Sequence, residues 1–409
     1  MNDPSRQAPG RTARAAALMA RLGSEGGGPD ERSAGQAGPA RLVRAPGRVN
    51  LIGEYTDFNL GFVLPVAIDR EVWIACEPWD RPVVELKSIE LNETRSFAFE
   101  GLAPRTSRTG SWIDYVAGTA WAMSEAGLPV HGFRGVLDST VPVGAGLSSS
   151  AALEMASSWA LAEPRAARPP AEAMAVIAQR AENGYVGVNC GIMDQFASAA
   201  GRADHALLID CRSITATASP LPPALSVVVC DTGSPRRLDS SAYNTRRSEC
   251  ELGVRLIAER EPGVKSLRDV DAVMLARNRD RLPEVVGRRC EHVVRENERV
   301  MATVEALRGG DLEALGRLFA ASHASLRDLF EVSSAELDAM VEIATSVRGV
   351  VASRMTGAGF GGCTVSLVER GAEEALGRRV VAEYPERTGL TARVFPVAAV
   401  DGAGEIEVP

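Results

Sequence analysis

Arg48, Glu54 and Asp57 fall within one short stretch, APGRVNLIGEYTDFNLGFVLP (residues 45–65), among glycines and small apolar residues, with Arg44 just ahead of it. Neither the period of a strand nor that of a helix accounts for these charges. A solvated loop would tolerate them, whereas a site that grips a polyhydroxylated molecule and moves phosphate would require them. Glu182 and Asp194 follow in AENGYVGVNCGIMDQFASAAG. An acid set in an apolar run, as Asp194 is, is uncommon unless something pairs it. Phosphoryl transfer uses two kinds of carboxylate, one for a divalent metal and one to accept or orient the nucleophile's hydroxyl. It also needs fixed positive charge beside the transferred group, which Arg48 can supply without acting as a base. The plain alternative is that Glu182 ends a surface helix and Asp194 pairs with a local arginine.

Two glycine-rich segments have the composition of phosphate loops. In PVGAGLSSSAA (142–152) small residues let backbone N–H groups approach an anion, and the helix expected after them adds its positive end. It is not a Walker loop, because the lysine of that motif is missing. Only Lys87 and Lys265 among the 45 basic residues are lysines, so a phosphate site here cannot lean on lysine. The alternative is a glycine turn with a serine N-cap. In MTGAGFGGCTV (355–365), Gly357, Gly359 and Gly362 satisfy G-x-G-x-x-G, but the segment leads into the strand-like CTVSLVE, whereas a dinucleotide fingerprint opens a helix. A glycine loop closing over a nucleotide, or a tight turn between core elements, fits better.

The elements that must position these residues belong to a two-domain α+β chain. At 409 residues it exceeds the size at which one core stops growing. A net charge of −8 without a basic stripe argues against a nucleic-acid partner. No apolar run is long enough for a membrane span. Seven widely spaced cysteines, with no C-x-x-C pair, suit a reducing cytoplasm better than a disulfide framework or a zinc site. The Arg-rich start resembles a transit peptide in composition, and a short surface helix is the plainer reading. Residues 22–40 read as a flexible linker, and 1–40 is expected to be a flexible extension with a short helix in it. FVLPVAID, EVWIACEP and GFRGVLDS read as strands, SSSAALEMASSWALA as a helix with serines as its N-cap, and AEAMAVIAQRAENGY as a helix ending near Gly184. After SPLPPA the strand LSVVVCD opens a new region, which divides the chain into domains 41–220 and 221–409. Long helical patterns cover 240–260 and 286–346, and CTVSLVE, GAEEALGRRVVAEY and ARVFPVAAV give a strand–helix–strand ending. There are no repeats. His131, His205, His292 and His323 are scattered, as structural donors are. Cys190 stands beside Gly191, and Trp73 and Trp79 read as strand packing.

These segments occur together, and in order, as in the GHMP sugar kinases, and within them the galactokinases. GRVNLIGEYTDFNLGFVLP resembles that family's N-terminal signature, PVGAGLSSSAALE its phosphate loop, and CGIMDQF and MTGAGFGG its catalytic and C-terminal motifs. SSAYNTRRSECE and SHASLRDLFEVSSAELD are also similar to galactokinase segments. The resemblance covers residues 41–400. It implies a ribosomal-protein-like N-terminal domain, a ferredoxin-like C-terminal domain, and a cleft between them that binds ATP, Mg2+ and a small sugar; the chain is expected to be a monomer. It carries the proton acceptor onto Asp194, the charge-stabilising arginine onto Arg48, and the magnesium ligands onto Ser150 and Glu182. Sugar contacts fall on Glu54, Tyr55, Asp57, Gly191 and Tyr243. The ATP phosphates fall along Gly144, Ala145, Gly146, Leu147, Ser148, Ser149 and Ser150. The resemblance also implies nucleotide contacts at Ser88, Trp112, Gly357 and Gly359. The implied reaction converts D-galactose and MgATP to α-D-galactose 1-phosphate and ADP.

One departure stands out: Tyr55 occupies a position where the family usually has His, beside the hydroxymethyl end of the sugar. Tyrosine still offers a hydrogen bond there but is bulkier. Galactose is the expected substrate, with arabinose, a uronic acid or N-acetylgalactosamine as alternatives. A non-catalytic sugar sensor of this fold would lack the Ser150–Ala151 step that this chain has.

Overall fold

A computed structural model describes residues 10–25, 38–104, 106–163, 168–234 and 240–407. The first sheet has six strands in the order β13-β1-β3-β6-β4-β5. These are β1 (Arg41–Asn50), β3 (Pro65–Trp79), β4 (Val83–Ser88), β5 (Glu93–Ala98), β6 (Gly132–Ser139) and β13 (Gly404–Ile406). β4 runs parallel to β6, and the remaining neighbours are antiparallel. A three-stranded sheet, β2-β7-β8, joins β2 (Phe62–Val63), β7 (His205–Asp210) and β8 (Thr215–Pro220). The segments read as FVLPVAID and EVWIACEP are in fact a two-residue strand and one continuous 15-residue strand.

Every residue of β1 is buried, because both faces of the sheet are covered. Helix α1 (Arg11–Glu25) sets Ala15, Leu18 and Leu22 against Leu42, Trp73, Ala75 and Val136 on one face. The helix expected in the extension is therefore a docked one. Arg11 pairs with the buried Glu71, Arg14 pairs with Asp138, and the Arg14 guanidinium lies 4.6 Å over Trp73. The linker reading over residues 26–37 lies outside the described residues. Helices α2 (Ile113–Glu125), α3 (Ser149–Leu161), α4 (Ala171–Arg180) and α5 (Met193–Ala200) contribute to the main core. A π-helical turn, Ala181–Val186, extends α4.

The C-terminal sheet, β10-β11-β9-β12, is antiparallel throughout. Its strands are β9 (Leu225–Asp231), β10 (Val350–Thr356), β11 (Cys363–Glu369) and β12 (Arg393–Val397). Between β9 and β10 come α6 (Ser240–Ala258), α7 (Ala272–Arg277), α8 (Glu284–Gly309), α9 (Leu312–Asp328) and α10 (Ala335–Thr345); α11 (Glu373–Thr388) joins β11 to β12. Numbered along the chain, the strand order is 2-3-1-4 with a helix on each crossover, the ferredoxin-like pattern. The chain then returns: Ile68 bridges Ala399, and β13 pairs with β1. Residues from about 399 onward thus close the N-terminal sheet, although they lie beyond the expected division at residue 220. No helix among the described residues is long and apolar enough to cross a membrane.

Candidate active site

The sequence read as a phosphate loop connects β6 to α3. β1 runs alongside it: the Arg48 amide donates to the Leu147 carbonyl at 3.1 Å. A Cβ on Gly47 would lie 2.6 Å from that carbonyl oxygen, so only glycine allows the approach. A register shift between Pro46 and Arg48 interrupts the ladder at this point and re-aims the Arg48 side chain. Arg48 is 4% exposed. Its Nε donates to Asp194 Oδ1 at 2.8 Å, its Nη2 lies 2.6 Å from the same oxygen, and its Nη1 donates to the Gly146 carbonyl at 2.7 Å.

Asp194 stands in the first turn of α5, and its second oxygen accepts from Ser148 Oγ at 2.6 Å. Ser148 was expected to cap α3. It occupies the N-cap position but makes no side-chain cap bond, and its backbone is left-handed at φ 60°. The hydroxyl serves Asp194 instead. Local strain of this kind persists where surrounding contacts over-determine it.

Glu182 lies in the π-helical turn, a distortion that occurs often at functional sites. Its carboxylate meets the Ser150 hydroxyl. Burial, and then the nearby negative charge of Asp194, push its pKa up to about 7. Gln195 Nε2 donates to Glu182 at 2.5 Å and to Glu154 at 3.0 Å. Glu154 is fully buried, and burial holds its carboxyl well above the usual range. Glu154 Oε1 and Gln195 Oε1 have no hydrogen-bond partner. Such unpartnered acceptor oxygens beside Glu182 suit a divalent cation. Among the described residues no three His, Cys, Asp or Glu side chains form a group able to hold a metal alone.

Around Asp194 gather Asp57, Gly191 and Tyr243. A Cβ on Gly191 would fall 1.8 Å from Asp57 Oδ2, so the glycine and the carboxylate are in direct contact. Burial, then the charge of Asp194, raise the Asp57 pKa to about 6. The Tyr243 hydroxyl is likewise pushed up, mainly by burial and then by Asp57. Its ring lies 5.4 Å from that of Tyr55 and 5.8 Å from that of Phe58.

Tyr55 is buried at φ 65°, with its ring 4.5 Å from Phe330, and its hydroxyl donates to the Ala358 carbonyl at 2.5 Å. Glu54 is 1% exposed, in ionic contact with Arg354, and accepts from the Gly357 amide at 3.0 Å. The Gly357 amide and the Ala358 carbonyl thus both bond the 54–55 segment. The glycines join β10 to β11 and open no helix, which is not the context of a dinucleotide fingerprint. On the far side, Ser88 pairs across β4–β5 with Glu93, and Glu93 accepts from Trp112 Nε1 at 3.0 Å. Both expected nucleotide contacts thus flank one hairpin.

Three residues of this network escaped sequence reading: Arg354, Glu154 and Gln195. Glu154 carried the same signal as Asp194, an acid in an apolar run. His292 and His323 are structural, as expected: His292 contacts Ser325 Oγ and the Glu54 carbonyl, and His323 contacts the Met355 amide and Asp338. A separate apolar cavity bordered by Met123, Met155, Trp159 and Met174 contains none of the site residues.

Comparison with known proteins adds to this geometry. Residues 31–78 match the galactokinase galactose-binding signature, 114–202 the GHMP kinases N terminal domain, and 303–386 the GHMP kinases C terminal model. A galactokinase of Roseiflexus sp. (strain RS-1) is 46% identical over 368 residues, 90% of this chain and 93% of that protein. A galactokinase of Chloroflexus aggregans is 44% identical over 366 residues, again 90% and 93%. The crystal structure of Lactococcus lactis galactokinase complexed with galactose superposes with a TM-score of 0.85 at 32% identity, covering 90% of this chain and 95% of that one. Methanococcus jannaschii mevalonate kinase, at 17% identity and a TM-score of 0.61 over 89% of this chain and 100% of that one, shares the fold alone.

Proposed function

We propose that this chain, which belongs to the galactokinase family of the GHMP kinases, phosphorylates D-galactose with ATP at the anomeric hydroxyl, giving α-D-galactose 1-phosphate and ADP. The observation that carries this reading is Arg48, bound at once to Asp194 and to the Gly146 carbonyl of the phosphate loop. That joint puts a permanent cation between the acid that meets the nucleophile and the backbone that meets the phosphates.

In this reading Asp194 orients the anomeric hydroxyl and takes up its proton, early or late, since loose phosphoryl transfer needs little base assistance. Arg48 balances the negative charge on the transferring group. The backbone from Gly144 to Ser150 cradles the ATP phosphates, and Ser88 and Trp112 meet the nucleoside. Asp57, Glu54 and Tyr243 meet sugar hydroxyls, and the bare Cα of Gly191 lets Asp57 and the sugar come close. Tyr55 contributes its ring, because its proton is already donated to Ala358. Ser150 and Glu182 would hold magnesium. There it would supply positive charge to offset that of the ATP phosphates. The free cysteines suit a reducing, cytoplasmic setting.

The test is coupled ADP release with MgATP against galactose, 2-deoxygalactose, N-acetylgalactosamine, arabinose, galacturonate, glucuronate and glucose. Turnover centred on galactose is expected. Preference for a sugar altered at C6 would move the substrate, and sugar binding without turnover on any of the panel would overturn the catalytic reading.

A further inference from the structure

The loop that carries Glu54 is gripped almost residue by residue from the second domain. The carbonyls of Asn50 and Leu51 accept from Arg354 Nη1 at 3.4 and 3.0 Å. The Gly53 amide donates to Glu296 at 3.1 Å, and the Glu54 carbonyl meets His292 Nε2 at 3.2 Å. Arg354 makes the ion pair with the Glu54 side chain, while its Nη2 also lies 3.9 Å from Glu296. Arg354 sits on β10 and is fully buried, with Glu54 and Glu296 at 1% and 0% exposure. Glu296 is separately satisfied by Arg299, Ser322 and Gly53.

An ion pair at this depth is a poor device for stability, since desolvation offsets most of the attraction. It is a good device for orientation. The guanidinium grips a carbonyl of the loop backbone and the Glu54 carboxylate together, and Gly357 fixes the other carboxylate oxygen. These contacts constrain the Glu54 carboxylate and its backbone together.

We propose that Arg354 is a positioning residue for the sugar subsite, holding the Glu54 carboxylate from the opposite domain in the one orientation that meets a sugar hydroxyl. This rests on the reading of Glu54 as a sugar acceptor. Galactose selectivity is then shared across the domain seam, and a residue that touches neither sugar nor ATP governs sugar affinity. A misplacement of about 1 Å at such a group is enough for roughly 100-fold.

The experiment compares the full-length wild type with Arg354→Lys, Arg354→Met, Glu54→Gln and the double variant Glu54→Gln/Arg354→Met. Galactose and ATP are varied separately, and thermal unfolding is recorded for each protein. Arg354→Met is expected to raise galactose KM about 100-fold, with ATP KM changed by less than about threefold. Arg354→Lys should recover about tenfold of that loss. In the Glu54→Gln background, Arg354→Met should add less than about threefold, because the carboxylate it positions is gone. The proposal is overturned by any of three results: multiplicative effects in the double variant, equal losses in galactose KM, ATP KM and kcat that track the unfolding temperature, or an unchanged galactose KM in Glu54→Gln. Should Arg354→Met fail to fold, Arg354→Lys decides, and a galactose KM equal to wild type in it overturns the proposal. If the wild type turns over a different sugar, the galactose reading fails, and the same coupling measured on that sugar still decides the role of Arg354.

Discussion

The proposed phosphate loop and the proposed sugar loop lie on the same N-terminal domain and are held by opposite strategies. Gly144 to Ser150 is shaped by backbone: glycines at positive φ, a strained Ser148, and Arg48 reaching in from β1. The 50–57 segment is shaped by side chains from the other domain, through Arg354, Glu296, His292 and the Gly357–Ala358 turn. In the proposed function the difference follows from what each would bind. Phosphate is a compact anion that many N–H groups satisfy from several directions, so a loop of small residues suffices. A sugar is told from its epimers by the direction of single hydroxyls, and that demands acceptors that cannot turn.

The largest effect should come where the two regions meet. Asp194→Ala removes the acid shared by Arg48 and Ser148, and kcat should fall by about 10^3 while galactose KM changes far less. Arg48→Ala should match it within an order of magnitude. Steady-state kinetics with circular dichroism to show a folded chain would check both. A galactose KM that rises as much as kcat falls would mean that Asp194 belongs to the sugar side of the comparison.

Gly191→Ala tests the sugar side next. The new Cβ would collide with the Asp57 carboxylate, whose other oxygen is tied to the Phe58 amide. Galactose KM should rise about 100-fold, with ATP KM nearly unchanged. If ATP KM rises equally, the two loops are not independent.

The contrast also explains which parts were legible in the sequence. The phosphate loop is local: a strand, a glycine run and a helix start within twenty residues, so composition reveals it. Asp194 and Glu154 carried a local sign as well, an acid among apolar neighbours. The sugar loop's supports carry none. Arg354 sits in VASRMT, which reads as any strand with one arginine, and only the docking of β10 against the end of β1 turns it inward. Ser148 misled for the opposite reason: serine before a helix is a good N-cap signal, and a stronger partner, the Asp194 carboxylate, took the hydroxyl. Helix α1 was only half visible, because its Ala15, Leu18 and Leu22 stripe has meaning only once Trp73 and Val136 face it.

Acidity separates the regions more gently. Asp57 titrates near pH 6 in the folded chain, against 3.8 in an unfolded one. Between those values the folded protein holds a proton that the unfolded chain has released. Stability therefore rises as pH falls through 6, while the acceptor for the sugar is lost. Galactose KM should increase about tenfold from pH 7 to pH 5, the change in ionised fraction for a pKa of 6. In Asp57→Asn the same measurement should be flat. A wild-type profile as flat as that of Asp57→Asn would remove Asp57 from the sugar contacts.

The smallest effect lies inside the phosphate loop and separates its two ingredients, backbone shape and hydroxyl. Ser148→Ala removes one of two partners of Asp194 but leaves Arg48 in place, so kcat should fall only about fivefold, the worth of one hydrogen bond. Ser148→Gly removes the same hydroxyl and also relaxes the φ 60° backbone. The two variants should therefore share a kcat and differ in melting temperature, with glycine the higher. If glycine instead restores kcat, the strained backbone rather than the hydroxyl sets the position of Asp194, and the phosphate side is governed by main-chain geometry alone. If alanine costs as much as Asp194→Ala, the loop depends on a side chain as heavily as the sugar side does, and the division between the two strategies fails.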